Sequence, residues 1–266
     1  LGFDRLSLGL QSTFDIHLTY LGRIHGFHDF HRGMEMARKA GFSNISADLI
    51  FGFPGLDLKD WNQTLERVLA YTPEHLSCYS LEVEEGTPLA FDLESGHSIP
   101  TPDEEDRRMY DLALNCLTKA GYLHYEISSF ARPGFESRHN TVYWTLKPYI
   151  GLGAGAHSFF NMRRWGNHPA PERYIQALTD GQSPVETESF PLKSDLASEF
   201  MFLGLRMLSG IDRTLFASLY GTDPDVYFHG GVQEMVSRGL MEEQGNWIRL
   251  SRAGLDLANV CMSRFA

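Results

Sequence analysis

Residues 45–53, Ile-Ser-Ala-Asp-Leu-Ile-Phe-Gly-Phe, form a nearly unbroken apolar run closed by Pro54-Gly55. A run this short, bounded by turn formers, reads as a buried strand of a parallel sheet. Its neighbours fit that reading. Residues 4–10 alternate polar and apolar and read as a strand, with a short helix over 15–21. Residues 27–40 place apolar groups at Phe27, Phe30, Met34 and Ala37, with Arg38-Lys39 in the last turn and Gly41 beyond; this is a helix with a stop signal. A second helix is predicted over 58–71 and the next strand over 75–83. Strands and helices alternating at about thirty-residue spacing define βαβ units around a parallel sheet. A doubly wound sheet and a TIM-like barrel both satisfy the pattern. No Gly-rich dinucleotide fingerprint follows any of these strands. Polar residues instead fall at or near strand ends, at Gln11, Asp48 and Glu82, where parallel α/β folds build their sites.

Beyond residue 83 the pattern loosens. Residues 84–102 read as a loop, 103–120 as a helix with Glu104 and Glu105 favouring its N-terminal dipole, and 122–130 as one more strand. Residues 131–150 read as an aromatic-rich loop. Residues 161–192 hold four prolines and are expected to link two parts, with a short helix at 171–178. After them come a helix over 195–208, helices near 213 and 230–238, a hairpin turning at Gly245-Asn246, and a last helix over 252–264. Helices followed by a small hairpin resemble a winged helix-turn-helix. The expected domains are therefore 1–160, a linker at 161–192, and 193–266.

A net charge of −11 over 266 residues argues against sequence-independent nucleic-acid binding, which needs clustered cations. The three cysteines, Cys78, Cys116 and Cys261, lack metal-ligand spacing and read as reduced, buried thiols of a cytoplasmic protein. No run of 18 apolar residues suggests a membrane span. The chain opens directly in Leu-Gly-Phe, which reads as a start inside a fold.

Four constellations could carry chemistry. Gly9-Leu-Gln11-Ser is followed by Arg23: the Gln offers a donor and an acceptor, the Arg a fork for a carboxylate. Asp48 interrupts an apolar strand, where an unpaired carboxylate is costly, so it needs a partner or a ligand. Residues 137–144, Ser-Arg-His-Asn-Thr-Val-Tyr-Trp, gather His139 with aromatic groups; His is a common axial haem ligand, and flat rings stack on macrocycles. Residues 151–158, Gly-Leu-Gly-Ala-Gly-Ala-His-Ser, allow close backbone approach but lack the Lys-Ser/Thr of a phosphate loop. His25, His28 and His31 recur every three residues, yet no Cys or carboxylate completes a metal set beside them, and they read as a solvated face.

In order and spacing, Gly-Leu-Gln-Ser, Leu-Gly-Arg-Ile-His, Asp-Leu-Ile-Phe-Gly-Phe-Pro-Gly, Leu-Glu-Val-Glu-Glu-Gly-Thr-Pro-Leu, Tyr-Glu-Ile-Ser-Ser-Phe-Ala-Arg-Pro-Gly, Ser-Arg-His-Asn-Thr-Val-Tyr-Trp and Gly-Leu-Gly-Ala-Gly-Ala-His-Ser resemble the HemW-type radical S-adenosylmethionine (SAM) proteins. These are relatives of the oxygen-independent coproporphyrinogen III oxidase HemN. The resemblance implies an α/β fold: a partial (βα) radical SAM barrel, truncated here, with a C-terminal winged-helix-like module. It implies SAM and a [4Fe–4S] cluster as cofactors, with Gln11, Arg23 and Asp48 on SAM-contacting positions and His139 on the position proposed for haem. The family's Cys-x3-Cys-x2-Cys is not in this sequence. By family spacing it belongs to a preceding segment of roughly three βα units, so no metal ligand is assigned within the chain. Ser129 stands where the family favours Asn, and Thr13-Phe14 where the family has Phe one position earlier.

The implied function is a haem chaperone that hands haem to apoproteins and has no oxidase activity. The alternative is radical oxidative decarboxylation of coproporphyrinogen III. Haem and haem-accepting apoproteins are the expected partners, nucleic acid is not, and peripheral membrane association and a homodimer are both compatible with the resemblance.

Overall fold

The structure is a computed structural model and describes residues 2–266. They form two compact units that divide at Ser137/Arg138. Residues 138–160, expected at the end of the first domain, group with the second unit.

In the first unit the order is β1 (Leu6–Gln11), α1 (Asp15–Tyr20), α2 (Phe27–Lys39), β2 (Ile45–Phe51), α3 (Leu58–Leu69), β3 (His75–Ser80), α4 (Pro88–Glu94), α5 (Asp103–Lys119), β4 (Leu123–Glu126) and β5 (Ser129–Ala131). The sheet runs β1-β2-β3-β5-β4. The first three strands are parallel; β5 is antiparallel to both β3 and β4. The sequence places one strand at 122–130. The chain instead reverses at Ile127-Ser128, and a two-residue connection permits only antiparallel pairing. The sheet is therefore mixed. Within the expected loop at 84–102, Thr87 caps Ala90 and Pro88 occupies the first turn, which suffices for a two-turn helix.

Side-chain alternation explains the unit's asymmetry. Leu10, Ile45, Ala47, Leu49, Phe51, Leu76 and Cys78 point to one face, where they are buried with Phe30 and Met34 of α2, Trp61, Leu65 and Val68 of α3, and Met109, Ala113 and Leu117 of α5. The Trp61 indole N–H donates to Met109 O at 2.8 Å, tying α3 to α5. The opposite face carries Arg5, Ser7, Gly9 and Gln11 from the first strand and its approach, Ser46 and Asp48 from β2, and His75, Ser77 and Tyr79 from β3. One apolar face covered by helices and one polar face is the character expected of a barrel segment whose polar residues face inward.

The second unit contains α6 (Arg138–Trp144), β6 (His157–Phe160), β7 (Arg163–Asn167), α7 (Pro171–Thr179), β8 (Val185–Ser189), α8 (Lys193–Gly204), β9 (Ile211–Asp212), α9 (Arg213–Tyr220), α10 (Pro224–Tyr227), α11 (Gly231–Ser237), β10 (Met241–Gln244), β11 (Trp247–Leu250), α12 (Arg252–Asp256) and α13 (Ala258–Ser263). Residues 161–192 thus hold two strands and a helix. Asn161 and Met162 both have positive φ, the geometry of a tight two-residue hairpin turn between β6 and β7. The C-terminal helices surround the small sheet β10-β11-β9, with Met201, Phe216, Val232, Met235, Ile248 and Phe265 buried among them. The single helix expected over 252–264 breaks at Leu257, whose φ of −121° and ψ of 33° are not helical.

Candidate functional site

The polar sheet face of the first unit is where the expected SAM residues belong. Gln11 ends β1 in the left-handed region at φ 71°, and the β1–β2 ladder slips between Gly9 and Gln11. The bulge re-aims the side chain. Gln11 Oε1 is buried and has no hydrogen-bond partner, an acceptor that needs a donor from elsewhere.

Local contacts hold that strand end in place. Ser12 Oγ lies 3.1 Å from His17 Nδ1, and His17 Nε2 lies 3.5 Å from Asp60 of α3. Arg67 donates to Thr13 O at 3.1 Å, and the Thr13 and Thr64 hydroxyls are 3.2 Å apart. Burial pushes the pKa of His17 down, against the pull of Asp60 and Asp57.

Asp48 lies in the middle of β2, opposite Gly9 on one side and Ser77 on the other. The half-buried carboxylate finds its partners in a pair of hydroxyls. Ser7 Oγ donates to Oδ2 at 2.8 Å and Ser46 Oγ to Oδ1 at 3.3 Å. Each carboxylate oxygen keeps acceptor capacity toward the open face. Gln11 and Asp48 are thus on adjacent strands of one face. Arg23 is exposed on the turn after α1, with its backbone N–H bonded to Leu18 O at 2.8 Å. Two residues on, His25 Nε2 lies 3.4 Å from Leu10 O, and Asp15 accepts from Phe27 N, so this turn folds back beside the end of β1. No side-chain contact joins Arg23 to Gln11 or Asp48 in the structure.

Residues that the expected set lacks complete the face. Ser46 Oγ is 2.8 Å from His75 Nδ1, and His75 Nε2 is 2.9 Å from the Tyr125 hydroxyl. His75 is fully buried; desolvation, aided by the Arg5 guanidinium, pushes its pKa down to about 3. Arg5 itself donates to Phe135 O at 3.4 Å. The signal for these residues was present as polar positions at period two within the strands: Arg5, Ser7; Ser46, Asp48; His75, Ser77.

In the second unit, His139 is exposed on α6 rather than on a loop. Thr141, Val142, Tyr143 and Trp144 are modest helix formers, which hid the helix. His139 and Tyr143 are one turn apart, their rings meet edge-on at 4.9 Å, and the Tyr143 hydroxyl lies 3.1 Å from His139 Nε2. Tyr149 packs edge-on against Tyr143 at 4.7 Å. The glycine-rich segment is structural: a Cβ on Gly151 would lie 2.2 Å from His157 O, and Asn167 Nδ2 donates to Gly153 O at 2.9 Å. His31, in the spaced histidine row, contacts Tyr71 Oη and Glu35.

Residues 1–68 match the Radical SAM superfamily and residues 193–257 the HemN C-terminal domain. The fold is similar to that of coproporphyrinogen III oxidase HemN from Escherichia coli, with a TM-score of 0.79 at 19% identity, over 99% of this chain and 64% of that one. Fold and matches together define a radical SAM protein with a HemN-type C-terminal module. The chain is also 34% identical to heme chaperone HemW of Bacillus subtilis over 264 residues, 99% of this chain and 70% of the relative. It is 33% identical to mouse radical S-adenosyl methionine domain-containing protein 1, mitochondrial, over 96% of this chain and 60% of the relative. The chain belongs to the HemW family of radical SAM proteins.

SAM and a [4Fe–4S] cluster are the cofactors of such a family. The residues present fit the first: an unpaired buried acceptor at Gln11 and a hydroxyl-braced carboxylate at Asp48 suit ammonium or ribose hydroxyl donors. They do not fit the second. Cys78 is buried on the helix-covered face with its thiol pKa raised by desolvation, and Cys116 and Cys261 are raised likewise; thiolates, not buried thiols, bind iron. Among the described residues, no group of three or more His, Cys, Asp or Glu could hold a metal ion. No helix among them is long and apolar enough to cross a membrane.

Proposed function

We propose that the intact protein binds haem and passes it to apoproteins, with SAM held against the polar face of its radical SAM domain. The curated relatives are named for haem chaperoning, and this chain's own residues support the same role. The observation that carries it is the exposed His139, with one ring nitrogen held by Tyr143 within a row of three edge-packed rings. Imidazole supplies an axial ligand for iron, and the neighbouring tyrosine rings supply apolar surface for the edge of a macrocycle.

On the sheet face, Gln11 Oε1 accepts from the SAM ammonium or ribose, Asp48 accepts from a second donor, and Arg23 meets the carboxylate. Bound SAM supplies a sulfonium whose cleavage, in radical enzymes, yields a carbon radical. Here these side chains bind and orient.

The test uses the intact protein. Haem is titrated and the Soret band followed; haem-loaded protein is then mixed with an apo-haemoprotein. Transfer of the Soret signature to the acceptor is expected, with weakened binding in His139→Ala. Conversion of coproporphyrinogen III to protoporphyrinogen IX with SAM, and no transfer, would replace this reading with the oxidase.

A further inference from the structure

Ser7, Ser46 and His75 lie in one row across the three parallel strands, directly below the row of Gly9, Asp48 and Ser77. The hydrogen bonds along this face have a direction fixed by their end. The Ser137 backbone N–H can only donate, and it donates to Tyr125 Oη at 3.2 Å. At the other end the Asp48 carboxylate accepts from Ser46 Oγ at 3.3 Å. Ser46 has one hydroxyl proton and gives it to Asp48, so its 2.8 Å contact with His75 Nδ1 must be a bond it accepts. His75 therefore carries its proton on Nδ1, and the Tyr125 hydroxyl donates to Nε2 at 2.9 Å. The order is then Ser137 N–H, Tyr125, His75, Ser46, Asp48, with each donor used once.

We infer that Ser46 and His75 are positioning residues for Asp48: this directed chain holds the carboxylate in one rotamer, with its free lone pairs turned to SAM. The inference rests on the reading that Asp48 contacts SAM. A rotating carboxylate would lose part of its affinity to ordering when ligand binds; a pre-oriented one does not. Ser46 and His75 are both fully buried, so neither touches SAM itself, and any influence on SAM runs through Asp48. Burial and the nearby Arg5 keep His75 neutral, which preserves its single donor and single acceptor.

SAM dissociation constants are measured by titration calorimetry on the intact protein, beside denaturant unfolding of each variant. Asp48→Ala is expected to weaken SAM binding, and Ser46→Ala and His75→Leu to weaken it about tenfold, or about 1.4 kcal/mol. His75→Asn, whose side-chain N–H can occupy the Nδ1 position, should retain affinity within about threefold, although it loses the Tyr125 partner just as His75→Leu does. A purely structural role would not separate those two variants. Ser46→Ala should add no further loss in the Asp48→Ala background.

If Asp48→Ala weakens binding but Ser46→Ala does not, or the two losses add, the positioning role is wrong and the SAM reading stands. If Asp48→Ala leaves affinity unchanged, the SAM reading itself falls and the positioning role with it. Nitrogen-15 spectra of wild-type His75 give a check that needs no variant to fold: the Nδ1–H tautomer is expected, and the Nε2–H tautomer would overturn the chain's direction.

Discussion

The Gln11 amide lies folded over Gly9: a Cβ built on Gly9 would come within 3.0 Å of Gln11 Nε2. The empty space left by one glycine is therefore what seats the side chain whose Oε1 is buried and unpaired. Gln11 pays for that placement with a φ of 71°, a strain of about 1 kcal/mol for a residue with a Cβ. Stability and ligand binding should consequently move in opposite directions. Gln11→Gly is expected to raise unfolding stability by up to about 1 kcal/mol while weakening SAM binding. Gly9→Ala should weaken SAM binding without that gain. Calorimetric affinity and urea unfolding on the same samples check both, and a Gln11→Gly protein with unchanged SAM affinity would remove Gln11 from the site.

The pH response follows from His75. Its folded pKa of about 3 lies below the ordinary value of about 6.5 expected in the unfolded chain. Above about 6.5 neither state binds the proton, and the contribution of His75 to stability is constant. As pH falls from there toward 3, the unfolded chain takes up a proton that the folded site refuses, and stability declines by up to about 1.4 kcal/mol per pH unit. His17, also lowered by burial, contributes a loss of the same sign as pH falls below its ordinary value, so the difference between proteins is the useful quantity. His75→Asn should flatten the decline between pH 6 and about 4 relative to wild type; parallel curves would show that His75 is not held neutral.

Gly52 closes the turn after β2 at φ 74°, and a Cβ there would lie 2.1 Å from Asp106 Oδ2 and 3.1 Å from Ser80 Oγ. Asp106 accepts from Ser80 at 2.5 Å, and desolvation raises its pKa. Gly52→Ala thus meets backbone strain and a collision together, and should cost about 2 kcal/mol or more. In an Asp106→Ser background the strain and the tight approach to the Ser80 hydroxyl remain but the 2.1 Å collision is gone, and the cost should fall toward about 1 kcal/mol. Denaturant midpoints on the two pairs decide it; equal costs would mean that Asp106 moves aside freely.

Haem ligation by His139 competes with the Tyr143 hydroxyl for Nε2. Removing that hydroxyl in Tyr143→Phe keeps the ring contact and frees the nitrogen. A net hydrogen bond of about 0.5–1.4 kcal/mol predicts haem binding two- to tenfold tighter in that variant. Soret titration measures it. An unchanged affinity in Tyr143→Phe, together with an unchanged spectrum in His139→Ala, would move the ligand elsewhere.

Much of this was legible in the sequence because it depends on local periodicity. The apolar run over Ile45–Phe51, the helical spacing of Phe30, Met34 and Ala37, and the turn at Gly245-Asn246 each report burial or backbone geometry through nearest neighbours, and all three elements form where they were expected. The hairpin of β4 and β5 did not show, because a two-residue reversal at Ile127-Ser128 carries neither Gly nor Pro. The α6 helix was hidden by side chains that favour other conformations.

By itself the sequence determined the alternation of strands and helices, the odd carboxylate at Asp48 and the ordered motifs that mark the family. Tertiary structure alone decided which other strands reach the Asp48 network. Beyond Ser46 on its own strand, the network around it draws Ser7, His75 and Tyr125 from three other strands, with 77 residues of chain between Asp48 and Tyr125. Hydrogen bonds of about 3 Å among such residues depend on strand register, which no local spacing contains. The positive φ at Gln11 and the open space at Gly9 likewise belong to the ladder as folded, since a bulge exists only where two strands are paired.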